Sequence, residues 1–125
     1  MLVHPGIILA ASQFLESEIN GYVVNGKGEI FGRNGKKFKP TKNYRNGGGY
    51  DLRIGIQLNG KRKFLVIQRI MCHVFYGMPL DSKMQGNHLD RKTYNNNLWN
   101  IEMTTQSENQ KHWREDEKRK RVKPY

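Results

Sequence analysis

The segment QGNHLDRKTYNNNLWNIEMTTQSENQKHW, residues 85–113, concentrates side chains that could do chemistry. Asparagine favours neither helices nor strands, so its abundance here indicates a role other than regular structure. Among the histidines, His88 is the one that potential ligands follow. Asn100 comes 12 residues after it, and Asn109 comes nine residues after Asn100. A neutral imidazole can take a proton from water near physiological pH, which makes His88 a candidate general base.

Hydrolysis of a phosphodiester needs such a base, a cation that stabilises charge on the phosphate and the leaving oxygen, and a rigid scaffold. The spacing indicates a strand ending at His88, a loop of about ten residues, a returning strand NIEMTT, and a helix with Ser107 as its N-cap. Asp90, Asn95 and Asn96 fall in the loop. Because Asp and Asn side chains cap turns, we predict structural roles for these three residues.

The charge of the chain indicates a polyanionic partner. It has 22 lysines and arginines against 11 aspartates and glutamates, a net charge of +11, and a pI of about 10.0. Aromatic residues alternate with these cations in the N-terminal half, namely Tyr22, Phe31, Phe38, Tyr44, Tyr50 and Phe64. We therefore expect a nucleic acid as partner, although solubility or adhesion to anionic membranes would also explain the charge.

A second basic region lies at the C-terminus. The run comprises Lys118, Arg119, Lys120, Arg121 and Lys123, with no acid after Glu117. It is either the solvated end of a helix or an electrostatic arm on DNA, and we favour the arm.

The elements that position these residues follow from periodicity. Apolar residues at helical spacing predict a helix over residues 5–19, which would pack on the core or bind a protein partner. Residues 21–67 form short stretches of strand character separated by Asn-Gly turns, typical of a small antiparallel sheet. The predicted strands are YVVN, EIFG, KFKPTK, YDLRIGIQL and KRKFLVI.

The segment DLRIGIQL alternates strictly between apolar and polar residues. Its apolar side chains point to one face, and Arg53 and Gln57 point to the other. Such a ribbon fits the DNA major groove, where Arg and Gln can contact base edges; a plain solvated face is the alternative. Lys61, Arg62, Lys63 and Arg69 are the further DNA contacts that we expect from this half of the chain.

Residues 67–76, IQRIMCHVFY, return to helical spacing, and the helix should end at Gly77. His73 lies on its flank and is expected to be a surface or half-buried residue and not a ligand. Cys72 is the single cysteine, which excludes an intrachain disulfide and a cysteine-built zinc site and favours a reducing, intracellular setting.

Two segments together resemble the HNH endonuclease family, most closely the homing endonucleases of phages and introns. These are GYDLRIGIQLNGKRKFLVIQRIMCHVFYG and NHLDRKTYNNNLWNIEMTTQSEN, within a likeness that runs from about Gly21 to His112. The second segment follows that branch's pattern of Asn-His-aliphatic-Asp, paired Asn, Asn-aliphatic-Glu and Ser-Glu-Asn. The resemblance implies a ββα-metal site and metal-dependent hydrolysis of DNA.

The resemblance also implies roles for matching positions. His88 would be the general base, Asn87 and Asn109 would bind one Mg²⁺ or Mn²⁺ per active site, and Asn100 would brace the loop or orient the imidazole. Three departures stand out: Asn87 replaces a frequent Asp, Arg91 stands where Gly is common, and Gln68 replaces a frequent His. His112 is an alternative ligand, or else a surface residue or phosphate contact.

The predicted fold is therefore α+β, with an antiparallel sheet followed by a ββα-metal motif. We expect an N-terminal helix over residues 1–20, a DNA-docking sheet and helix over 21–77, the HNH motif over 78–113 and a basic tail over 114–125. The protein would be a cytoplasmic monomer or weak dimer without a membrane span. The alternatives are a non-catalytic DNA-binding module with a decayed metal site and a basic RNA-binding protein.

Overall fold

The computed structural model describes residues 12–108, which form three small antiparallel sheets and a central α-helix. The elements are β1 (Glu16–Ile19), β2 (Tyr22–Asn25), β3 (Ile30–Phe31), β4 (Thr41–Tyr44), β5 (Tyr50–Leu58), β6 (Lys61–Val66), α1 (Ile67–Tyr76), β7 (Gln85–His88) and β8 (Ile101–Thr104). This is the α+β class that the sequence predicts, with the strands divided among three sheets. Within residues 12–108, no helix is long and apolar enough to cross a membrane.

The first sheet, in the order β1-β2-β3, overturns part of the predicted N-terminal helix. Residues 5–11 lie outside the described part, but Ser12–Phe14 form a short 3₁₀ turn and Glu16–Ile19 form strand β1. The prediction is wrong there because Asn20 and Gly21, with φ of 48° and 85°, make a tight turn that pairs β1 with β2. The backbone N–H and C=O groups of β1 therefore form hydrogen bonds with β2 and not within a helix.

The second sheet, in the order β4-β5-β6, contains two strands that the sequence predicts well, β5 and β6. The predicted strand over residues 37–42 begins later, since β4 starts at Thr41, directly after Pro40. Proline lacks the N–H that a strand interior requires, which accounts for the later start. Within the earlier part of that segment, Lys37 makes an isolated bridge to Phe31.

The two faces of β5 are those that its alternation predicts. Ile54, Ile56 and Leu58 are buried in the core, while Gln57 on the opposite face is exposed. The apolar face packs towards α1, whose Ile70 and Met71 are both fully buried. One polar face of the sheet is thus left outside the core.

The cluster Lys61–Lys63 divides between these faces. Arg62 stands directly opposite Gln57 in the β5–β6 ladder, so both side chains lie on the polar face. Lys61 and Lys63 stand opposite apolar residues of β5 and therefore lie on the other side of the sheet, and both are exposed. Periodicity alone does not reveal this division, because it depends on the register of the hairpin.

Helix α1 has the bounds predicted from the sequence. It ends at Gly77, whose φ of 73° lets its N–H bond to the carbonyl of Cys72. Cys72 is fully buried as a small core residue. Burial raises the pKa of its thiol to about 11, with Arg69 nearby acting in the opposite direction, so the thiol stays protonated at neutral pH.

The third sheet is the hairpin of β7 and β8, which packs against α1. His88 pairs with Ile101 and Asn87 with Glu102, so the predicted strand, loop and returning strand are present. Tyr76 at the end of α1 fastens the return of the loop, because its hydroxyl lies 3.2 Å from the carbonyl oxygen of Leu98 and 2.9 Å from that of Ile101.

The helical segment after β8 begins at Gln106, one residue before the expected N-cap. The N-cap is Thr105, whose hydroxyl oxygen accepts from the N–H of Glu108 at 3.2 Å, while the Glu108 carboxylate accepts from the N–H of Thr105 at 3.4 Å. This reciprocal capping box displaces Ser107, so that part of the prediction is wrong. Asn109, His112 and the basic tail lie outside the described residues.

Candidate active site

A cleft of about 300 Å³ lies where the second and third sheets meet the start of α1. Asp51 of β5, Gln68 of α1, and Asn87 and His88 of β7 all contribute to its walls. The loop after β7 adds Arg91. Three elements that are distant in sequence thus bring the candidate base and a candidate ligand to one concave surface.

His88 is held by a buried hydrogen bond. Its side chain is 5% exposed, and its Nε2 lies 2.8 Å from Oδ1 of Asn96. An amide oxygen can only accept, so with Oδ1 of Asn96 facing Nε2 a neutral ring would hold its proton on Nε2 and donate a hydrogen bond to that oxygen. The other ring nitrogen, Nδ1, then has the free lone pair that a general base requires.

Asn96, predicted only as a structural loop residue, is thus the partner of the imidazole. It is itself buried, and the turn between β2 and β3 packs against it. A Cβ built on Gly28 in that turn would lie 2.6 Å from the backbone oxygen of Asn96, so only glycine fits. The backbone N–H of Leu98 also donates to the carbonyl of Gly26 at 2.8 Å, which fixes the loop on the same turn.

Asn100, fully buried, braces the loop. Its Oδ1 accepts from the N–H of Asp90 at 3.0 Å, and its Nδ2 donates to Oδ1 of Asp90 at 2.9 Å and to the carbonyl of Asn95 at 2.8 Å. Of the two roles that the resemblance implies for Asn100, these contacts correspond to bracing. The imidazole contact is made by Asn96 instead.

The pKa of the Asp90 carboxyl is affected by burial and by hydrogen bonds within the loop. Burial acts to raise its pKa, but hydrogen bonds from Asn95, the Lys92 backbone and Asn100 outweigh burial and lower the pKa below the usual carboxyl value. A carboxyl with a lowered folded pKa contributes stability above its unfolded pKa. That contribution is lost as the pH falls through the folded value, so acid loosens this loop.

Asn87 is clamped at both ends of its amide. Its Nδ2 donates to Oε1 of Glu102 at 3.0 Å, and its Oδ1 accepts from Nη1 of Arg91 at 3.1 Å. Asn87 is 6% exposed, and Arg91 has a φ of 63°, in the left-handed region. Arg91 therefore adopts a backbone conformation that favours glycine, and its side chain contacts the candidate ligand Asn87.

The donor groups of the cleft suit a hard divalent cation. No group of three or more His, Cys, Asp or Glu side chains that could hold a metal is found among residues 12–108. The cleft instead offers amide oxygens: Oδ1 of Asn87, and Oε1 of Gln68, which is buried without a hydrogen-bond partner. Oxygen ligands and an orphaned acceptor fit Mg²⁺ or Mn²⁺ with its bound waters.

The polar face of the second sheet carries cations stacked on an aromatic ring. The guanidinium carbon of Arg53 lies 5.1 Å from the ring centre of Phe64, and that of Arg62 lies 5.5 Å from it. Phe64 itself is 57% exposed. Asp51 occupies the same face of β5 as Arg53 and Gln57 and also lines the cleft, so this surface leads to His88.

Arg69, a predicted DNA contact, and His73, a predicted surface or half-buried residue, both contact backbone carbonyl oxygens. Arg69 donates to the carbonyls of Leu80, Ser82 and Met84 at 3.0–3.1 Å, so it anchors the connector after α1. Arg69 also lines the cleft. His73 is half-buried, and its Nδ1 lies 2.7 Å from the carbonyl oxygen of Met78.

Sequence reasoning missed Gly28 and Glu102 as parts of this site. Glu102 could have been found, because it stands opposite Asn87 once the hairpin register is fixed. Gly28 gives no local signal of its role, since its contact with Asn96 joins segments about 70 residues apart and arises only from tertiary packing.

Replacing Gly28 by Ala tests whether the turn supports Asn96. The added Cβ would collide with Asn96, so we expect a loss of unfolding free energy on the order of 3 kcal/mol, from overpacking and the left-handed backbone together. Gly35→Ala is the control, because Gly35 has a similar φ of 81° with no atom near the added Cβ. Urea unfolding of both variants measures the difference, and equal losses would contradict the contact.

Comparison with known proteins adds one line of support. No family model and no curated protein matches the sequence. A solved structure described as "DNA binding and cleavage by the HNH homing endonuclease I-HmuI" is similar to this chain, with a TM-score of 0.64 and 25% sequence identity. The match covers 82% of this chain and 59% of that one, so the chain spans less than two thirds of its length. The likeness supports an HNH-type nuclease fold.

Proposed function

We propose that this protein is a metal-dependent endonuclease that hydrolyses phosphodiester bonds in double-stranded DNA. The observation that carries the proposal is the placement of His88 in the cleft, with its Nε2 bonded to Asn96 and the amide oxygen of the neighbouring Asn87 in the same cleft. Proton abstraction and electrostatic stabilisation of a phosphate would then take place within one cleft. The likeness to an HNH homing endonuclease agrees with this reaction.

His88 acts through Nδ1 in this mechanism. The lone pair of Nδ1 takes a proton from water, and the resulting hydroxide bonds to phosphorus as the bond from phosphorus to the 3′ oxygen breaks, which leaves a 5′ phosphate and a 3′ oxygen that takes a proton from solvent. The ring becomes an imidazolium whose Nε2–H stays bonded to Oδ1 of Asn96 at 2.8 Å in the resting geometry. Asn96 therefore sets the tautomer before the reaction and stabilises the charged ring after it.

Asn87 and Asn109 are the residues that would hold the divalent ion, with His112 as an alternative to Asn109. The ion would supply positive charge to the phosphate and to the leaving 3′ oxygen. Asn87 is positioned for this task by Glu102, which accepts from its Nδ2 and so directs Oδ1 away from β8. Gln68 adds an acceptor in the same cleft.

DNA would dock on the polar face of the second sheet. Arg53 and Arg62 present charge around Phe64, and Gln57 is exposed beside them. Because Asp51 and Val66 lie on the same face and line the cleft, a duplex on this surface would extend to His88. The C-terminal cations Lys118–Arg121 would add affinity that depends on salt. A monomer with one such site would nick one strand at a time.

A non-catalytic DNA-binding module is the second candidate. The observation that favours it is that Asn87 brings no negative charge to a metal, while Arg91 already donates to its oxygen. The two candidates agree on DNA binding and differ on cleavage. Supercoiled plasmid incubated with Mn²⁺ separates them.

Removing the imidazole of His88 tests the base. His88→Ala should bind DNA nearly as the parent does, since the sheet and its cations remain, while nicking falls by a factor on the order of 10² to 10⁴. Nicked plasmid is followed over time with Mn²⁺ at low protein concentration.

His73→Ala is the matched control for that experiment. It also removes a histidine, at a cost of about 1 kcal/mol for the lost bond to Met78, and it should leave nicking intact. Equal nicking by His88→Ala and the parent would overturn the mechanism. Absence of nicking by the parent on every DNA tested would favour the binding module.

Adding charge at Asn87 tests the ligand. Asn87→Asp should lower the Mg²⁺ concentration needed for half-maximal nicking, because a carboxylate binds the ion more strongly than an amide. It should also destabilise the metal-free protein by about 1–3 kcal/mol, since the new carboxylate faces Glu102 where an N–H donor stood.

The double variant Asn87→Asp with Glu102→Gln separates the two effects. The Gln amide restores a donor towards position 87, so the stability should return while the lower Mg²⁺ requirement remains. Loss of activity in this folded double variant would mean that position 87 is needed as an amide and is no metal ligand.

A further inference from the structure

We infer that Arg91 and the divalent ion compete for Oδ1 of Asn87, and that a DNA phosphate relieves the competition by drawing Arg91 away. The inference rests on the proposed function, because it assigns a regulatory role to a residue of the same cleft. It makes substrate a requirement for strong metal binding at this site.

The first step is the contact itself. Nη1 of Arg91 lies 3.1 Å from Oδ1 of Asn87, so a guanidinium N–H is directed at the oxygen that would face the ion. The amide cannot present a free oxygen by rotating, since its Nδ2 is held by Glu102 at 3.0 Å. A divalent ion at this oxygen would also meet the full positive charge of Arg91, which repels it.

The second step is the backbone of the turn. Arg91 adopts a φ of 63°, and its N–H donates to the carbonyl of His88 at 3.1 Å. This turn brings the Arg91 side chain back over β7. Left-handed backbone is unfavourable for a residue with a Cβ, so a side chain retained there points to a role for its guanidinium.

The third step is the exchange of partners. A guanidinium bonds a phosphate through two parallel, charge-assisted hydrogen bonds, about twice as strong as a bond to a neutral acceptor. Arg91 is half-buried and lines the cleft, so a phosphate that enters would meet it. Once Arg91 turns to the phosphate, the Asn87 oxygen is free for the ion.

Thermodynamic linkage then requires reciprocity. If DNA raises the affinity for the ion by some factor, the ion raises the affinity for DNA by the same factor. The protein would hold little metal alone and acquire it together with substrate. Arg91 would remain in the cleft, where the guanidinium and the ion would both bind the negatively charged phosphate.

The test measures Mn²⁺ affinity from the electron paramagnetic resonance signal of free Mn²⁺, with and without a DNA duplex. All proteins are the full chain carrying His88→Ala, which suppresses cleavage, and Mn²⁺ binding by duplex alone is subtracted. Arg91→Gly removes the guanidinium and suits the left-handed backbone. Lys92→Ala removes the same charge from the exposed neighbouring residue and is the control.

Without DNA, we expect Arg91→Gly to bind Mn²⁺ about tenfold more tightly than the parent, and Lys92→Ala to differ by less than about twofold. Adding duplex should tighten Mn²⁺ binding about tenfold in the parent and in Lys92→Ala, and by less than about twofold in Arg91→Gly.

Equal Mn²⁺ affinities of the parent and Arg91→Gly without DNA would overturn the competition, as would undetectable Mn²⁺ binding by Arg91→Gly. Coupling to DNA that survives in Arg91→Gly would overturn the release by phosphate. Plasmid nicking by the protein with His88 intact is scored separately. Tighter Mn²⁺ binding by Arg91→Gly without any nicking would contradict the proposed nuclease activity and still support the competition between Arg91 and the ion.

Discussion

The hydrogen bond between Nε2 of His88 and Oδ1 of Asn96 is the interaction on which the geometry of the cleft depends. It fixes which ring nitrogen holds the proton, and hence which one can act as a base. The bond is only as rigid as Asn96, which Gly28 and the turn between β2 and β3 support from behind. The first sheet, far from the cleft in sequence, is therefore part of the machinery that positions the base.

Charge in the cleft is arranged around neutral amides. Asn87 lies between the anion of Glu102 and the cation of Arg91, and Asn100 holds the carboxylate of Asp90 in the loop. Amides donate and accept at once, so they connect charged groups without adding charge of their own. The abundance of asparagine in residues 85–113 thus has a physical reason: the described amides make bonds that set the geometry of the loop and of the imidazole.

Local pattern predicts β5, β6, α1 and the β7–β8 hairpin, because alternation and helical spacing reflect which face is buried. It fails at β1, where apolar spacing imitates a helix while the Asn20-Gly21 turn imposes a strand. Within the site, periodicity indicates the loop but cannot distinguish Asn96 from Asn100 as the partner of His88. That choice depends on tertiary packing against Gly28, just as the division of Lys61–Lys63 between faces depends on register.

The role of Asn96 is tested most directly by determining the tautomer of His88. It is read from ¹⁵N chemical shifts of the imidazole in a two-dimensional NMR spectrum at a pH where the ring is neutral. The His88→Ala spectrum assigns the signals by their absence. We expect a proton on Nε2 and a free lone pair on Nδ1 in the folded protein, and a mixture of tautomers in Asn96→Ala. A neutral ring protonated at Nδ1 would contradict it.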